Sequence, residues 1–259
     1  MKKILLPLLL TFVGVNALAW GGIGHQTVVV IAERHLTKET VKKIETLIPY
    51  DLRNDASWMD KHRRDEEYAF TGSYHTMAMN HDFVYDPSWR LATGGDCVTG
   101  LQFLEYNLTH QQQLALTDSV KVLNIRMLIH IVGDMHCPCH SYVMPERNQW
   151  KCRFDGKDYK YHGYIDHITD ILYEGMSIDR IARKLDTWTE EQIAAAQEGT
   201  FVDWAQDCCT RDRAIYEVNP YKTFDLDPDT PEKLRPCVED ALRVAGYRLA
   251  FLLNKYFGE

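Results

Sequence analysis

Beyond its first twenty residues the chain has no apolar run approaching the roughly twenty residues that a membrane-spanning helix needs. It has no low-complexity tract, no internal repeat and no compositional break, which argues against a solenoid, an array or a second domain. Basic charge is in short supply. Lys and Arg number 29 against 37 Asp and Glu, a net charge of −8, which excludes a protein that coats nucleic acid with a basic surface. Strand-like alternation is scarce as well, so the expected fold class is all-α: one helical, bundle-like domain with long loops.

What is present begins with an export signal over residues 1–19. Lys2 and Lys3 precede an apolar stretch from Ile4 to Val15, and Ala17-Leu18-Ala19 supplies the small-residue cleavage pattern. Cleavage makes Trp20 the new N-terminus, leaves one domain over residues 20–259, and takes the net charge from −8 to −10 by removing the two lysines. The residue directly after the cleavage point is Trp20 rather than cysteine, so no lipid anchor is expected there. A soluble, monomeric protein without a transmembrane segment, secreted or periplasmic, is the expectation.

Helical periodicity dominates the rest. Val41, Ile44, Leu47 and Ile48 form an apolar stripe closed by Pro49, and Val238, Leu242, Ala245, Leu249, Leu252 and Tyr256 form another near the C-terminus. Residues 85–96 and 219–231, rich in Pro, Gly and Asp, read as surface loops. Seven cysteines, at 97, 137, 139, 152, 208, 209 and 237, imply some disulfide pairing in an oxidising compartment, with at least one thiol left over.

The chemistry concentrates in His130-x3-Asp134-x5-His140 and His162-x3-Asp166. An i,i+4 spacing puts imidazole and carboxylate on one helix face, close enough to share a metal. Leu123, Met127, His130 and Asp134 share a stripe, so these polar groups point inward with core residues. A lone buried His or Asp is usually a hydrogen-bonded core residue. Several together cost several kcal/mol each unless paired or metal-bound, which makes a metal the simplest explanation of the cluster. Imidazole and oxygen donors without an ordered cysteine pattern suit a catalytic zinc site better than a structural one.

Five segments also carry a family resemblance. Trp20-Gly-Gly-Ile-Gly-His25, Ala56-Ser-Trp-Met-Asp60-x-x-Arg63, Leu128-Ile-His130-Ile-Val-Gly-Asp134-Met-His136-x-Pro138-x-His140, His162-x3-Asp166 and Ala245-Gly-Tyr-Arg-Leu-Ala250 follow one another across the chain. In that order they resemble the S1/P1 nucleases, which are mostly helical, secreted, three-zinc phosphodiesterases related to zinc-dependent phospholipase C. The resemblance implies one zinc on Asp60, His75, His130 and Asp134, and a second on His140, His162 and Asp166. It implies a third on the amino group and carbonyl oxygen of Trp20, on His25, and on Asp134 as a bridge. Three Zn²⁺ would thus be held by nine residues, with Asp60 and Asp134 central to catalysis and Arg63 binding the phosphoryl oxygens. Signal cleavage would then complete the active site, because it frees the amine of Trp20.

The resemblance implies hydrolysis of single-stranded DNA or RNA, and of 3′-nucleotides, to 5′-phosphorylated products. Departures bear on the substrate. Thr76 and Ala78 stand where the family has an aromatic residue and an aspartate that grip a base, and Lys160-Tyr161 precede His162 where an asparagine is common. Tyr74, Phe83 and Tyr85 could rebuild a stacking surface or serve as core. Cys137-Pro138-Cys139 replaces the usual Gln-Pro-Leu before His140; a thiol there could pair with Cys152 or pack as a small apolar group. The alternatives are a phospholipase C-like lipid phosphodiesterase acting on phospholipid, and an exported zinc-binding protein without catalysis. His136, His35, His62, His81, His110 and His167 match no ligand position and are expected to be solvated or capping, His136 facing away from Asp134. Asn107-Leu-Thr109 reads as a chance glycosylation match.

Overall fold

The computed structural model describes residues 20–90, 93–141, 149–219 and 223–258, so the export signal expected over residues 1–19 lies outside the described residues. Eleven α-helices are described: α1 Gly22–Glu33, α2 Lys38–Leu47, α3 Trp58–His62, α4 Cys97–Thr109, α5 Asp118–His136, α6 Tyr161–Asp166, α7 Ile168–Leu172, α8 Ile178–Leu185, α9 Glu190–Gln197, α10 Phe201–Val218 and α11 Thr230–Phe257. The all-α expectation holds. No described helix is long and apolar enough to cross a membrane.

Caps explain where several helices start. Thr117 accepts from the Val120 amide ahead of α5, Asp96 accepts from Thr99 ahead of α4, and Thr189 and Thr200 form capping boxes with Gln192 and Asp203. The 28 residues of α11 run about 42 Å at 1.5 Å per residue, and this helix is the spine. Its predicted stripe from Val238 to Tyr256 is buried, and α1 packs along it more extensively than any other pair of elements packs. Gly246 permits that approach: a Cβ there would lie 2.4 Å from the Ile31 Cγ2. Helix α5 lies against α4 on one side and α11 on the other, and its C-terminal half, from Asn124 to His136, is almost wholly buried.

Three expectations are corrected. A small antiparallel hairpin interrupts the helices, β1 Lys151–Phe154 with β2 Lys157–Lys160. Its two-residue turn, Asp155-Gly156, has both φ values positive, 47° and 72°, the geometry that matches the twist of two strands. The loop expected through residue 231 is shorter, because α11 begins at Thr230 and Pro231 sits in its first turn, where the missing N–H has no partner to lose. The expected disulfides are not formed: all seven cysteines are thiols, six of them buried, and they fill the core as small apolar groups.

Candidate metal centre

Four stretches of chain meet at the C-terminal half of α5. The N-terminal segment is tied to α6 by a hydrogen bond from the Gly21 amide to the Asp166 carbonyl, 2.6 Å. Trp20 is fully buried, and Gly24 leaves room for it, since a Cβ there would touch the indole side chain at 2.8 Å. One turn into α1, the His25 ring lies over α5 and stacks on His130 at 4.5 Å. Gly133 makes this possible, for its Cβ would fall 2.6 Å from His25 Nδ1.

The segment around residue 75 is clipped to the turn after α5. The Met77 amide donates to the His140 carbonyl and His140 Nδ1 donates to the His75 carbonyl, both 2.8 Å; Cys97 at the start of α4 donates to Thr76. His130 Nδ1 likewise donates to the Ala56 carbonyl, 2.9 Å. Both rings therefore turn Nε2 toward the centre in a fixed tautomer, the arrangement seen when a histidine ligates a metal.

Asp134 is the hub. Its Oδ2 is 2.8 Å from His75 Nδ1 and 3.3 Å from His130 Nε2, while its Oδ1 is 3.3 Å from His25 Nε2 and 3.8 Å from His140 Nδ1. The two oxygens thus face different groups, as a bridging carboxylate must. Asp60 lies 3.8 Å from both His75 Nδ1 and His130 Nε2. On the far side Asp166 Oδ1 is 3.3 Å from His162 Nε2 and 3.5 Å from His140 Nε2. All eight side chains singled out from the sequence as metal-ligating are brought into one cluster with Trp20 beside it. His162, 20% exposed, and Arg63, 31% exposed, mark its open side; Arg63 reaches toward Asp60 at 3.8 Å, beyond hydrogen-bond distance.

Whether these residues fit a metal is decided by what they leave unmade. Buried polar atoms are normally hydrogen-bonded. Yet both nitrogens of His25, both oxygens of Asp60 and Asp166, Asp134 Oδ1, and Nε2 of His75, His140 and His162 have no hydrogen-bond partner. Three trios place their donor atoms within 4.8 Å of one another: His25, Asp60 and His130; His75, His130 and Asp134; Cys137, His140 and Asp166. Such a concentration of orphaned donors is what a set of cations would satisfy, and imidazole with carboxylate suits zinc.

Electrostatics agree. Burial disfavours the Asp134 carboxylate, but the facing His130 and His140 outweigh it and hold its pKa well below the usual carboxylate range. Burial likewise works against a charged His140, yet Asp134 and Asp166 raise its pKa to about 9. Without a metal, protons held on His130 and His140 balance the facing carboxylates, so a bound cation would displace protons.

The remaining histidines stand apart. His35 meets Asp186, His62 meets Asp65, His167 meets Asp170, His81 lies edge-on to Trp89, and His110 bonds the Tyr106 carbonyl. His136 does face away from the cluster but is buried rather than solvated, which corrects the expectation. Its Nδ1 donates to Val132 and its Nε2 accepts from the Arg248 guanidinium at 2.9 Å. Arg248 also bonds Asp207 and the Ala196 carbonyl and lies over the Trp204 ring, so it braces the metal-bearing helix against the spine. Sequence reasoning singled out neither partner for this, because an arginine in a C-terminal helix normally reads as surface. Of the three aromatics considered for stacking, Tyr85 is buried with its hydroxyl on Asp96, Tyr74 packs over Gly100, and Phe83 sits between Tyr216 and Arg213.

Buried imidazoles and carboxylates gathered round one shared carboxylate, on a helical scaffold, define the class as a protein with a candidate metal centre rather than a purely structural helical protein. The S1/P1 Nuclease family profile matches residues 20–258, and the chain belongs to that family. Similar proteins include Nuclease S1 of Aspergillus oryzae, 24% identical over 269 residues and 91% of each chain. Endonuclease 4 of Arabidopsis thaliana is 26% identical over 285 residues, 93% of this chain and 90% of its own. Nuclease P1 of Penicillium citrinum is 21% identical over 278 residues, 92% of this chain and 98% of its own. The activity of this chain is accordingly that of a nuclease, a phosphodiester hydrolase.

Proposed function

We propose that this protein is exported and, with three zinc ions, hydrolyses single-stranded DNA or RNA to 5′-phosphorylated products and 3′-nucleotides to a nucleoside and inorganic phosphate. The observation that carries the reading is the set of orphaned buried donors around Asp134. Asp60, His75, His130 and Asp134 would hold one ion and His140, His162 and Asp166 a second. The Trp20 amine and carbonyl, His25 and Asp134 would hold the third. Zinc in these positions supplies an activated water and Lewis-acid stabilisation of charge at phosphorus.

The chain's own residues supply the rest. Arg63, on the open side beside Asp60, offers a fork of donors to the phosphoryl oxygens as their charge grows. Asp134 sets the spacing of the two sides of the centre through its two oxygens. Burial of nearly every donor keeps bulk water out, so those charges act at low dielectric. A recessed centre favours flexible single strands over a stiff duplex. The lost base clamp at Thr76 and Ala78 gives a second reading weight, that the leaving group is a lipid alcohol.

The test is hydrolysis of single-stranded DNA, RNA, a 3′-nucleotide and phosphatidylcholine by protein beginning at Trp20, beside Asp134→Ala and a chelated sample. Nucleic-acid cleavage abolished in both controls supports the proposal. Turnover of lipid alone moves the protein to the phospholipase reading, and no turnover with zinc bound leaves a metal-binding protein without catalysis.

A further inference from the structure

Cys137 is placed with its sulfur among groups that could hold a metal. It caps the C-terminus of α5, one turn past Asp134, and is 2% exposed. The Cys137 Sγ lies within 4.8 Å of the donor atoms of His140 and Asp166. Nε2 of His140 and both oxygens of Asp166 are buried and have no hydrogen-bond partner, and His162 Nε2, likewise unpartnered, is 3.3 Å from Asp166. The thiol's own contacts are a long one to the carbonyl of Pro138, 3.6 Å, and one with the Trp20 backbone. The backbone holds the sulfur in place: the Cys137 amide donates to Asp134 and the Cys137 carbonyl accepts from the His140 amide.

We propose that Cys137 is the fourth protein ligand of the ion held by His140, His162 and Asp166. This rests on the three-zinc reading and deepens it at one site. Two imidazoles, a carboxylate and a thiolate complete the four-coordinate shell that zinc prefers. On binding, the thiol gives its proton to solvent and its sulfur lone pair to the metal, so the site becomes one charge less positive than His140, His162 and Asp166 alone would leave it. A soft thiolate also favours zinc, cobalt or cadmium over magnesium, calcium or manganese at this position. A shell of four protein ligands is the closed kind. A substrate oxygen reaches this ion only if the coordination number rises or Cys137 gives way.

The experiment loads protein beginning at Trp20 with Co²⁺ and compares it with Cys137→Ser, Cys137→Asp and Cys139→Ser. The expected wild-type spectrum has a thiolate-to-cobalt charge-transfer band in the near ultraviolet. Cys139→Ser keeps it and both Cys137 variants lose it. In zinc-loaded protein, Cys137→Ser binds one ion at least ~10-fold more weakly, judged against what removal of supporting groups costs at other metal sites, and Cys137→Asp recovers most of that affinity. Retention of the other ions by each variant shows that it has folded. Bound cobalt with no charge-transfer band, or a band that survives Cys137→Ser, overturns the assignment and leaves the three-zinc reading standing. Failure to bind any metal overturns both.

Discussion

Replacing Gly133 by alanine separates the two things this residue does. A buried glycine inside a helix is worth about 1 kcal/mol less than alanine, so propensity alone makes the substitution stabilising. The added Cβ would lie 2.6 Å from His25 Nδ1 and 2.9 Å from its Cε1, against 3.4 Å or more for an ordinary contact, so the ring must shift by about 1 Å. The ring has little room, being stacked on His130 at 4.5 Å with α1 pressed along α11 behind it. Overpacking of this kind costs about 1–3 kcal/mol, so the two effects nearly cancel or leave a net loss of about 2 kcal/mol at most. Function is not buffered in the same way. A 1 Å displacement at a catalytic centre costs on the order of 100-fold in rate. Gly133→Ala is therefore expected to melt close to wild type, bind one metal ion fewer by elemental analysis, and cleave single-stranded DNA about 100-fold more slowly. Unchanged metal content together with unchanged cleavage would falsify the view that His25 is held against α5 as a ligand.

Gly246→Ala makes the matching control: its Cβ meets Ile31 Cγ2 at 2.4 Å where no metal-binding group is involved, so after the same helix-propensity gain a net loss of up to about 2 kcal/mol in urea unfolding with full metal content is expected. Arg248→Met leaves His136 Nε2 and the Ala196 carbonyl without their donor, and at roughly 1–3 kcal/mol for each unsatisfied buried acceptor it should cost about 3 kcal/mol by the same measurement. Burial and the nearby Arg248 hold the His136 pKa well below its ordinary value. Below about pH 6.5 the unfolded chain takes up a proton that the folded chain refuses, so this residue's contribution to stability is complete above that pH and falls by up to about 1.4 kcal/mol per unit beneath it. Melting of metal-free wild type and His136→Gln between pH 7 and 5 checks the sign: the wild type should lose more stability on acidification, and an equal or smaller loss refutes the assignment.

Half of the centre was legible because its residues sit at helical spacing. His130 with Asp134, and His162 with Asp166, announce themselves as i,i+4 pairs on inward faces, and the inward direction follows from the apolar residues that share the stripe. Asp60, His75 and Trp20 come from segments with no such period, and only the resemblance placed them with the others. Supporting groups were the least visible. Gly133 matters through an absent atom, and Arg248 through contacts 41 to 112 residues away in the chain, neither of which leaves a local pattern. The hairpin was missed although Asp155-Gly156 is a recognised turn pair, because its four-residue strands expose most positions on both faces and show no alternation. Pro231 misled in the opposite sense: proline marks the opening turn of α11 as readily as it marks a loop.

The partnership of the first and last helices fixes when the molecule can acquire its shape. While the chain is being synthesised α1 emerges first, but the largest part of its packing waits for α11, which leaves the ribosome some two hundred residues later. No N-terminal fragment can close the interior, and contacts of such long sequence separation make folding slow. A chain with this delay keeps part of its core uncovered throughout its production. The same delay bears on the candidate centre, since α1, which carries His25, packs chiefly against α11.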